Sequence, residues 1–298
     1  MSLFITCEAG GDAIPQWLVP ELRTLGQRKK NRRSPKSTRQ RTKKKSLDSN
    51  SPLKNRTAED ASGVNADGVN RLPKNAAIER LKQKLKVDRH GVEISHQIAA
   101  ALHVPSCFNP FPIDLVDVTK DLKQRNLFAG PFRKLKREAQ QRLLNEVHQP
   151  YFERVCRSIE TLLNTNDFVI HFSLRTFPLR NKGTIRRTDV GLLYDSSKSD
   201  EVDLCSDLVD DMWYRAPMLK VRRNYPRRGS EIGITRQLRK RFASRDYIGV
   251  ELWLNRAWAA RRVSLRDEAI HAMTSSIAAV TGLADLPLQD DSDFYDAA

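Results

Sequence analysis

The sequence predicts an α/β fold in which a mixed, largely parallel central sheet is flanked by helices. Short apolar runs of strand length alternate along the chain with longer segments in which apolar residues recur at helical spacing. Several of the short runs are almost continuously apolar, as expected of strands that helices cover on both sides. The chain carries no internal repeat. The pattern therefore indicates one α/β unit.

The predicted strands are short and mostly apolar. The first is followed by a turn at Gly10 and Gly11. The third alternates strictly, which places His171 and Arg175 on the same face of the sheet. We predict strands at residues 3–7, 113–118, 168–175, 190–194, 219–221 and 247–254.

Helices are predicted where apolar residues recur every three or four positions. In residues 92–102 this spacing is carried by Ile94, Ile98 and Leu102. Another helix begins at Pro131 and is interrupted at Pro150, because proline lacks the N–H group that a helix interior requires. A second helix continues from there to about residue 164. Three more helices are predicted at residues 200–214, 235–242 and 265–280.

The basic charge of the chain is concentrated in one segment. The formal net charge is +16, and residues 28–56 contain thirteen Lys or Arg and one acid, Asp48. Residues 27–76 hold very few large apolar side chains, so we predict a disordered insertion within a single domain spanning 1–298. An acidic tail occupies residues 287–298. The basic segment would attract nucleic acid without sequence specificity, or act only as a solubilising tether.

The composition argues against several classes of protein. No apolar run approaches the roughly 18 residues that cross a membrane, and the first residues lack the basic region of a signal peptide. The four cysteines are widely spaced, show no metal-binding pattern and fit reduced thiols. We therefore expect a cytoplasmic protein that does not associate with membranes.

Polar side chains stand where several predicted strands end. Glu8 follows the first strand, Asp117 the second and Arg175 the third, while Glu251 and Asn255 belong to the last. Ligands of open α/β sheets bind beyond the carboxyl ends of the strands, so these residues form a candidate site. Ordinary solvation of strand ends explains the same pattern, and topology alone leaves both interpretations open.

Five short segments form a recognisable set of motifs. They are residues 3–11 (LFITCEAGG), 88–91 (DRHG), 189–195 (DVGLLYD), 221–226 (VRRNYP) and 249–252 (GVEL). In this order they resemble motifs of the N-formylglutamate amidohydrolase family. The resemblance implies a phosphorylase/hydrolase-like fold related to the zinc carboxypeptidases. It also implies hydrolysis of a small N-acyl amino acid amide, in which zinc polarises the carbonyl and activates water.

The metal ligands that the resemblance implies are only partly present. Ala9 and Arg175 stand where the family has histidines, and neither side chain can serve as a zinc ligand. A fixed guanidinium also repels a divalent cation. Asp88 and His90 remain as candidate ligands, with Glu93 on the same predicted helical face. The alternative for His90 is a solvated residue at the start of a helix.

Glu251 is the candidate catalytic residue. The resemblance implies a general base at this position, because the related carboxypeptidases use a glutamate late in the chain. The alternative is a buried carboxylate paired with an arginine, for example Arg175, which would quench the site. The implied cofactor is zinc if the chain is active, and none if it is not.

A basic loop and its neighbours supply the candidate substrate-binding residues. The resemblance implies an anionic substrate with carboxylate groups, and guanidinium groups bind carboxylates bidentately. Arg227 stands where the family commonly has a tyrosine. The alternative is a solvated basic turn with no binding role. The candidate residues are Arg187, Arg222, Asn224, Tyr225, Arg227 and Gly229.

Three hypotheses for function follow from the sequence. The first is a working amidohydrolase-like enzyme with a rearranged set of zinc ligands. The second is a pseudoenzyme that has lost its metal ligands and retains an anion-binding pocket. The third is a protein that binds nucleic acid or another polyanion through residues 28–56. The sequence leaves all three open.

Overall fold

The structure is a computed structural model that describes residues 1–22, 85 and 87–283. The predicted basic insertion at 27–76 and the acidic tail at 287–298 lie outside the described residues. Within the described part of the chain, no helix combines the length and apolar character needed to cross a membrane.

A six-stranded mixed sheet forms the centre of the molecule. The described part of the chain contains eight strands, six of which form this sheet. They are β1 (Ser2–Cys7), β2 (Ser106–Phe108), β3 (Val169–Phe177), β4 (Arg180–Asn181), β5 (Thr184–Ile185), β6 (Val190–Leu193), β7 (Val221–Arg223) and β8 (Tyr247–Asn255). The sheet order is β2-β1-β3-β8-β6-β7, and β4 and β5 form a separate hairpin. β2, β1, β3 and β8 are parallel, whereas β6 is antiparallel to β8 and parallel to β7. The predicted α/β class with a mixed, mostly parallel sheet is confirmed.

Helices cover both faces of this sheet. They are α1 (Arg89–Ala101), α2 (Arg137–Leu143), α3 (Gln149–Thr165), α4 (Ser199–Arg215), α5 (Ile234–Arg241), α6 (Arg256–Ala259) and α7 (Val263–Val280). Apolar side chains of α1, α4 and α7 join one buried cluster, and those of α2, α3 and α5 join another. Each cluster includes side chains from the strands between them. The two-sided burial explains why the strands are apolar on both faces.

The helical region around Pro150 differs from the predicted break. After a 3₁₀ turn at Gly130–Lys134, the chain stays helical from α2 through a π-helical segment at Leu144–His148 and on into α3. Pro150 directly follows the π-helical segment, so the N–H that proline lacks falls where the regular helical hydrogen-bond ladder is already altered. Val147 and Tyr151 therefore pack continuously into the same core.

The predicted strand at residues 113–118 is wrong, because this segment forms turns. Asp117 explains the difference. Its Oδ1 accepts hydrogen bonds from the Thr119 backbone N–H at 3.2 Å and from the Thr119 hydroxyl at 2.7 Å, a local pattern that competes with a sheet ladder. The apolar side chains of Leu115 and Val116 are nevertheless fully buried. The apolar residues of this segment therefore reflect burial of their side chains and not membership of a strand.

Candidate functional site

The carboxyl ends of β1, β3 and β8 bring acidic, basic and aromatic side chains to one edge of the sheet. Thr6, Ser173 and Glu251 lie side by side in register across the three strands. Two residues further along, Arg175 lies opposite Trp253. The strands are parallel, so side chains beyond their ends converge, as the sequence predicts. We define the strand-edge cluster as Glu8, Ser173, Arg175, Glu251 and Trp253.

Glu8 is a fully buried carboxyl group at this edge. Thr6 Oγ1 donates to its Oε1 at 2.5 Å, and Ser173 Oγ donates to its Oε2 at 2.7 Å. The Tyr151 hydroxyl lies 3.4 Å from Oε1. Burial raises the pKa of Glu8, although hydrogen bonds and the nearby Arg175 charge oppose the rise. Burial thus disfavours the charged form of Glu8, and the hydroxyls that donate to its two oxygens favour that form.

A buried hydrogen-bond chain connects Glu8 to the middle of the sheet. His171 Nε2 lies 2.8 Å from Thr6 Oγ1, and His171 Nδ1 lies 2.7 Å from the Tyr247 hydroxyl. Because the Thr6 proton goes to Glu8, Nε2 donates to Thr6 and Nδ1 accepts from Tyr247. Burial, with the Arg239 charge, lowers the pKa of His171 to about 3. This histidine is neutral and structural.

Glu251 is held on several sides and is 1% exposed. Arg227 Nη2 donates to its Oε2 at 2.5 Å, and Trp253 Nε1 donates to the same oxygen at 2.9 Å. The Thr235 hydroxyl donates to Oε1 at 3.2 Å. Gly233 permits this approach, since a Cβ there would lie 1.8 Å from Oε1. Glu251 is therefore a buried carboxylate paired with an arginine, which is the alternative to a general base that the sequence left open.

Arg175 has a different environment from the one the sequence predicts. Its guanidinium lies 5.1 Å from the centre of the Trp253 ring. Among the described residues it makes no hydrogen bond and no ion pair within 4.0 Å. Burial opposes its charge, but surrounding carboxylates outweigh this effect and hold its pKa above the ordinary value. Those carboxylates belong to Asp117, Glu8, Glu251 and Asp88.

Asp88 uses both of its oxygens within the fold. Its side chain caps α1 by accepting from the Gly91 N–H at 3.1 Å. It also accepts from the Thr176 backbone N–H at 2.6 Å and from the Thr176 hydroxyl at 2.7 Å. Asp88 thus ties the start of α1 to β3.

His90 faces outward from the first turn of α1. Its side chain is 36% exposed, and its Nδ1 lies 3.8 Å from Glu93 Oε2. The ring is only partly solvated, because Nδ1 is buried and makes no hydrogen bond with the described residues. The structure gives His90 no contact with Asp88 or with the strand-edge cluster among the described residues.

The side chains present do not fit the zinc site that the resemblance implies. The described residues contain no group of three or more His, Cys, Asp or Glu arranged to hold a metal ion. Ala9 offers no donor atom, and both Asp88 oxygens already accept hydrogen bonds. Arg175 adds a fixed positive charge among the carboxylates that would otherwise bind a cation. We therefore derive no catalytic step through zinc.

The basic loop after β7 is largely a structural element. Asn224 Oδ1 accepts from the backbone N–H groups of Tyr194 at 3.1 Å and Gly229 at 3.0 Å. Gly229 packs so closely on the end of β6 that a Cβ would lie 2.3 Å from Tyr194 N. The Tyr225 ring packs edge-on against Phe177. These three predicted binding residues shape the loop that carries Arg227 to Glu251.

Two of the predicted binding residues lie elsewhere. Arg187 and Arg222 line an open depression beside α4, together with apolar side chains and Lys220. Asn255, at the end of β8, donates to the carbonyls of Arg186 and Thr188 at 3.0 and 2.9 Å. Of the predicted substrate-binding residues, the structure brings only Arg227 to the strand-edge cluster.

Buried cysteines give no sign of a nucleophile. All four thiols are free and buried. Burial, assisted by the Glu8 and Asp88 charges, raises the pKa of Cys7 to about 12, and burial raises the pKa of Cys156 to about 11. Thiols with such pKa values remain protonated at neutral pH and react slowly.

The sequence interpretation did not include Trp253, which completes the strand-edge cluster. Its indole contacts the guanidinium of Arg175 at 5.1 Å and that of Arg227 at 5.0 Å, and it donates to Glu251. A signal was available, because residues two apart in a strand share a face. Trp253 stands two residues after Glu251 and therefore belongs on its side of the sheet.

Comparison with known proteins relates the chain to two solved structures. No protein-family model matches the sequence, and no curated protein matches it significantly. Gene product Atu2144 from Agrobacterium tumefaciens is similar, with a TM-score of 0.62 and 15% identity over 94% of this chain and 92% of that one. An N-formylglutamate amidohydrolase from Ralstonia eutropha JMP134 aligns with a TM-score of 0.47 and 14% identity over 66% and 84%. At such identity, the likeness to Atu2144 shows a shared α/β fold alone.

Proposed function

We propose that this chain binds a small anionic ligand at the strand-edge cluster and does not hydrolyse it by zinc chemistry. The observation that carries the proposal is the Arg175 guanidinium, which has no ionic or hydrogen-bonding partner among the described residues and lies against Trp253 at the carboxyl ends of three parallel strands. This is the edge at which open α/β sheets bind ligands. It is also the position at which the resemblance implies a zinc-binding histidine.

The carboxylates around Arg175 have partners of their own. Glu251 pairs with Arg227 at 2.5 Å, and Asp117 pairs with Lys120 at 3.0 Å. Asp88 accepts from backbone and hydroxyl groups, and Glu8 accepts from the hydroxyls of Thr6 and Ser173. Since no carboxylate in the described part of the chain accepts a hydrogen bond from Arg175, we take its five donors to be available to a ligand.

The geometry favours a carboxylate ligand. A guanidinium presents a planar pair of N–H groups that matches the two oxygens of a carboxylate. Stacking against Trp253 fixes the plane of Arg175 before a ligand arrives, which reduces the entropy lost on binding. Arg175 is the partly exposed member of this group, whereas Ser173 and Glu8 are buried and hydrogen-bonded to each other, so the guanidinium supplies the contact with the ligand.

Hydrolysis by a rearranged set of residues is a second candidate function. One observation favours it, namely the buried carboxyl of Glu8 with a raised pKa. A carboxyl group with a raised pKa keeps its proton to a higher pH than an exposed one does, and the protonated form can donate to a leaving amine. This function also needs an activated water molecule, and product formation distinguishes it from binding alone.

The test uses the full chain and N-formyl-L-glutamate as the probe. We expect calorimetric binding without release of formate, and a loss of affinity of at least about tenfold in Arg175→Met, because a charged hydrogen-bonded contact is removed. Arg157→Met, which changes an exposed arginine on α3, is the matched control and should bind normally. Equal affinity in Arg175→Met would contradict the proposal, and formate release at catalytic rates would favour the second candidate.

A further inference from the structure

A second basic surface lies apart from the strand-edge cluster. Two open depressions, of about 480 and 330 Å³, share Arg187 and Lys220 in their linings and are therefore adjacent. The first is bounded by Trp213 of α4 and the second by Arg261 after α6. We define the basic groove by its five cationic side chains, which are Arg186, Arg187, Lys220, Arg222 and Arg261.

The cations of the basic groove are unpaired. Among the described residues, none of the five side chains makes a hydrogen bond or an ion pair within 4.0 Å; two of them contact aromatic rings instead, at 5.7 and 5.9 Å. The carboxylate in the lining, Asp189, accepts the Lys220 backbone N–H through Oδ2 at 3.1 Å. Unpaired cations lining one groove favour an anionic ligand that carries several charges.

Exposed apolar groups accompany these cations. Trp213 is 69% exposed and Met218 is 53% exposed, and both belong to the linings. A large exposed indole beside unpaired cations combines the two features that single-stranded nucleic acids use, which are phosphate contacts and stacking of bases on aromatic rings. A free small anion would use the cations but not the indole.

We propose that the basic groove binds single-stranded nucleic acid. Phosphates would contact the five cations, and an unpaired base would stack on Trp213. A duplex is disfavoured because its bases are already stacked and cannot use the indole. The net charge of +16 attracts the strand over a longer range.

The test measures fluorescence anisotropy of a labelled oligothymidylate with the full chain, over a range of salt concentrations. We expect Arg187→Glu with Arg222→Glu to weaken binding at least tenfold, and to reduce the salt slope by about 0.7 for each phosphate that the variant no longer neutralises. Trp213→Ala should cost roughly tenfold for single strands and nothing for a duplex of equal length. Arg137→Glu with Arg157→Glu, which changes two exposed arginines of α2 and α3 on the opposite face of the sheet, is the charge-matched control and should bind normally.

Several results would overturn the groove as the site. Unchanged affinity in the Arg187→Glu, Arg222→Glu variant would place binding elsewhere on the chain. An equal loss of affinity in the Arg137→Glu, Arg157→Glu control would show that the effect comes from net charge alone. A Trp213→Ala variant that loses duplex and single-strand binding alike would exclude base stacking. Displacement of the oligonucleotide by an acidic peptide of equal charge at equal concentration would assign the groove to peptides. Arg175→Met should leave oligonucleotide affinity unchanged, which separates this test from that of the strand-edge cluster.

Discussion

Arg227 forms the ion pair with Glu251, with 2.5 Å between Nη2 and Oε2. The sequence offered Arg175 as a partner, and this expectation is wrong. The register of β3 and β8 gives the reason, because Arg175 lies opposite Trp253 while Ser173 lies opposite Glu251. Arg175 therefore stacks on the indole, and Arg227 reaches Glu251 from the loop after β7.

This arrangement predicts that Arg227 stabilises the fold more than Arg175 does. Arg227→Met should lower the free energy of unfolding by about 3 kcal/mol, since it leaves a buried carboxylate without its cation. Arg175→Met should cost less, because Arg175 neutralises no carboxylate directly. Urea unfolding measures both changes. Adding Glu251→Gln to Arg227→Met should restore part of the stability, and equal costs for the two arginine variants would contradict the prediction.

Because His171 is buried and neutral, we predict that the free energy of unfolding decreases in acid. Its folded pKa is lowered to about 3, so the unfolded chain takes up a proton near its ordinary pKa of 6.5 before the folded chain does. The stability is therefore present above pH 6.5 and is lost as the pH falls towards 3, by about 1.4 kcal/mol per pH unit.

Thermal unfolding between pH 7 and pH 4 measures this dependence. His171→Gln should flatten it, and an unchanged slope in that variant would show that other groups are responsible. Glu8 acts in the opposite direction, because a raised folded pKa means that its contribution is full below its unfolded pKa and is lost as the pH rises through the folded value. Glu8→Gln should therefore flatten the dependence at higher pH.

We expect Asp88 to stabilise the fold and not to bind a metal ion. Asp88→Ala removes the cap of α1 and leaves the Thr176 N–H unsatisfied, so the free energy of unfolding should fall by about 2 to 3 kcal/mol. Denaturant unfolding measures the decrease, and His90→Ala, on the first turn of the same helix, should cost less than about 0.5 kcal/mol. A variant of normal stability that had lost a bound metal ion would instead make Asp88 a ligand.

Restoring imidazoles should create metal affinity. In the double variant Ala9→His, Arg175→His, two histidines would replace a methyl group and the central positive charge at one sheet edge, beside Glu8. We expect zinc affinity to rise at least tenfold over the wild-type chain, measured by titration of metal-stripped protein. Ala9→His alone is the control and should gain much less, because the guanidinium remains. No gain in the double variant would mean that the two positions do not face a common site.

Much of the fold follows from hydrophobic periodicity. The predicted β1, β3, β6 and β8 lie within two residues of the observed bounds, because their apolar runs are buried on both faces. The 113–118 segment has the same apolar character, but Asp117 satisfies the backbone locally. β2 is three residues long, too short for periodicity to reveal. A pattern of apolar residues reports burial and leaves the hydrogen-bond partner of the backbone undetermined.

The sequence predicted where the candidate site lies, but it predicted only some of the contacts within that site. Strand ends correctly located Glu8, Arg175 and Glu251 at one edge, because parallel strands end together. The partners of those side chains depend on register and on loops, which the sequence does not encode in any local pattern. Asn224 illustrates this limit, because its side chain accepts hydrogen bonds from the backbone N–H groups of Tyr194 and Gly229.

Titration of zinc into the metal-stripped full chain tests most directly whether the Arg175 guanidinium has replaced a metal ion. We predict no stoichiometric site, and only weak binding that Arg175→Met leaves unchanged in stoichiometry. One zinc ion bound per chain at submicromolar concentration, and absent from Asp88→Ala, would contradict this and assign the strand-edge cluster to metal chemistry.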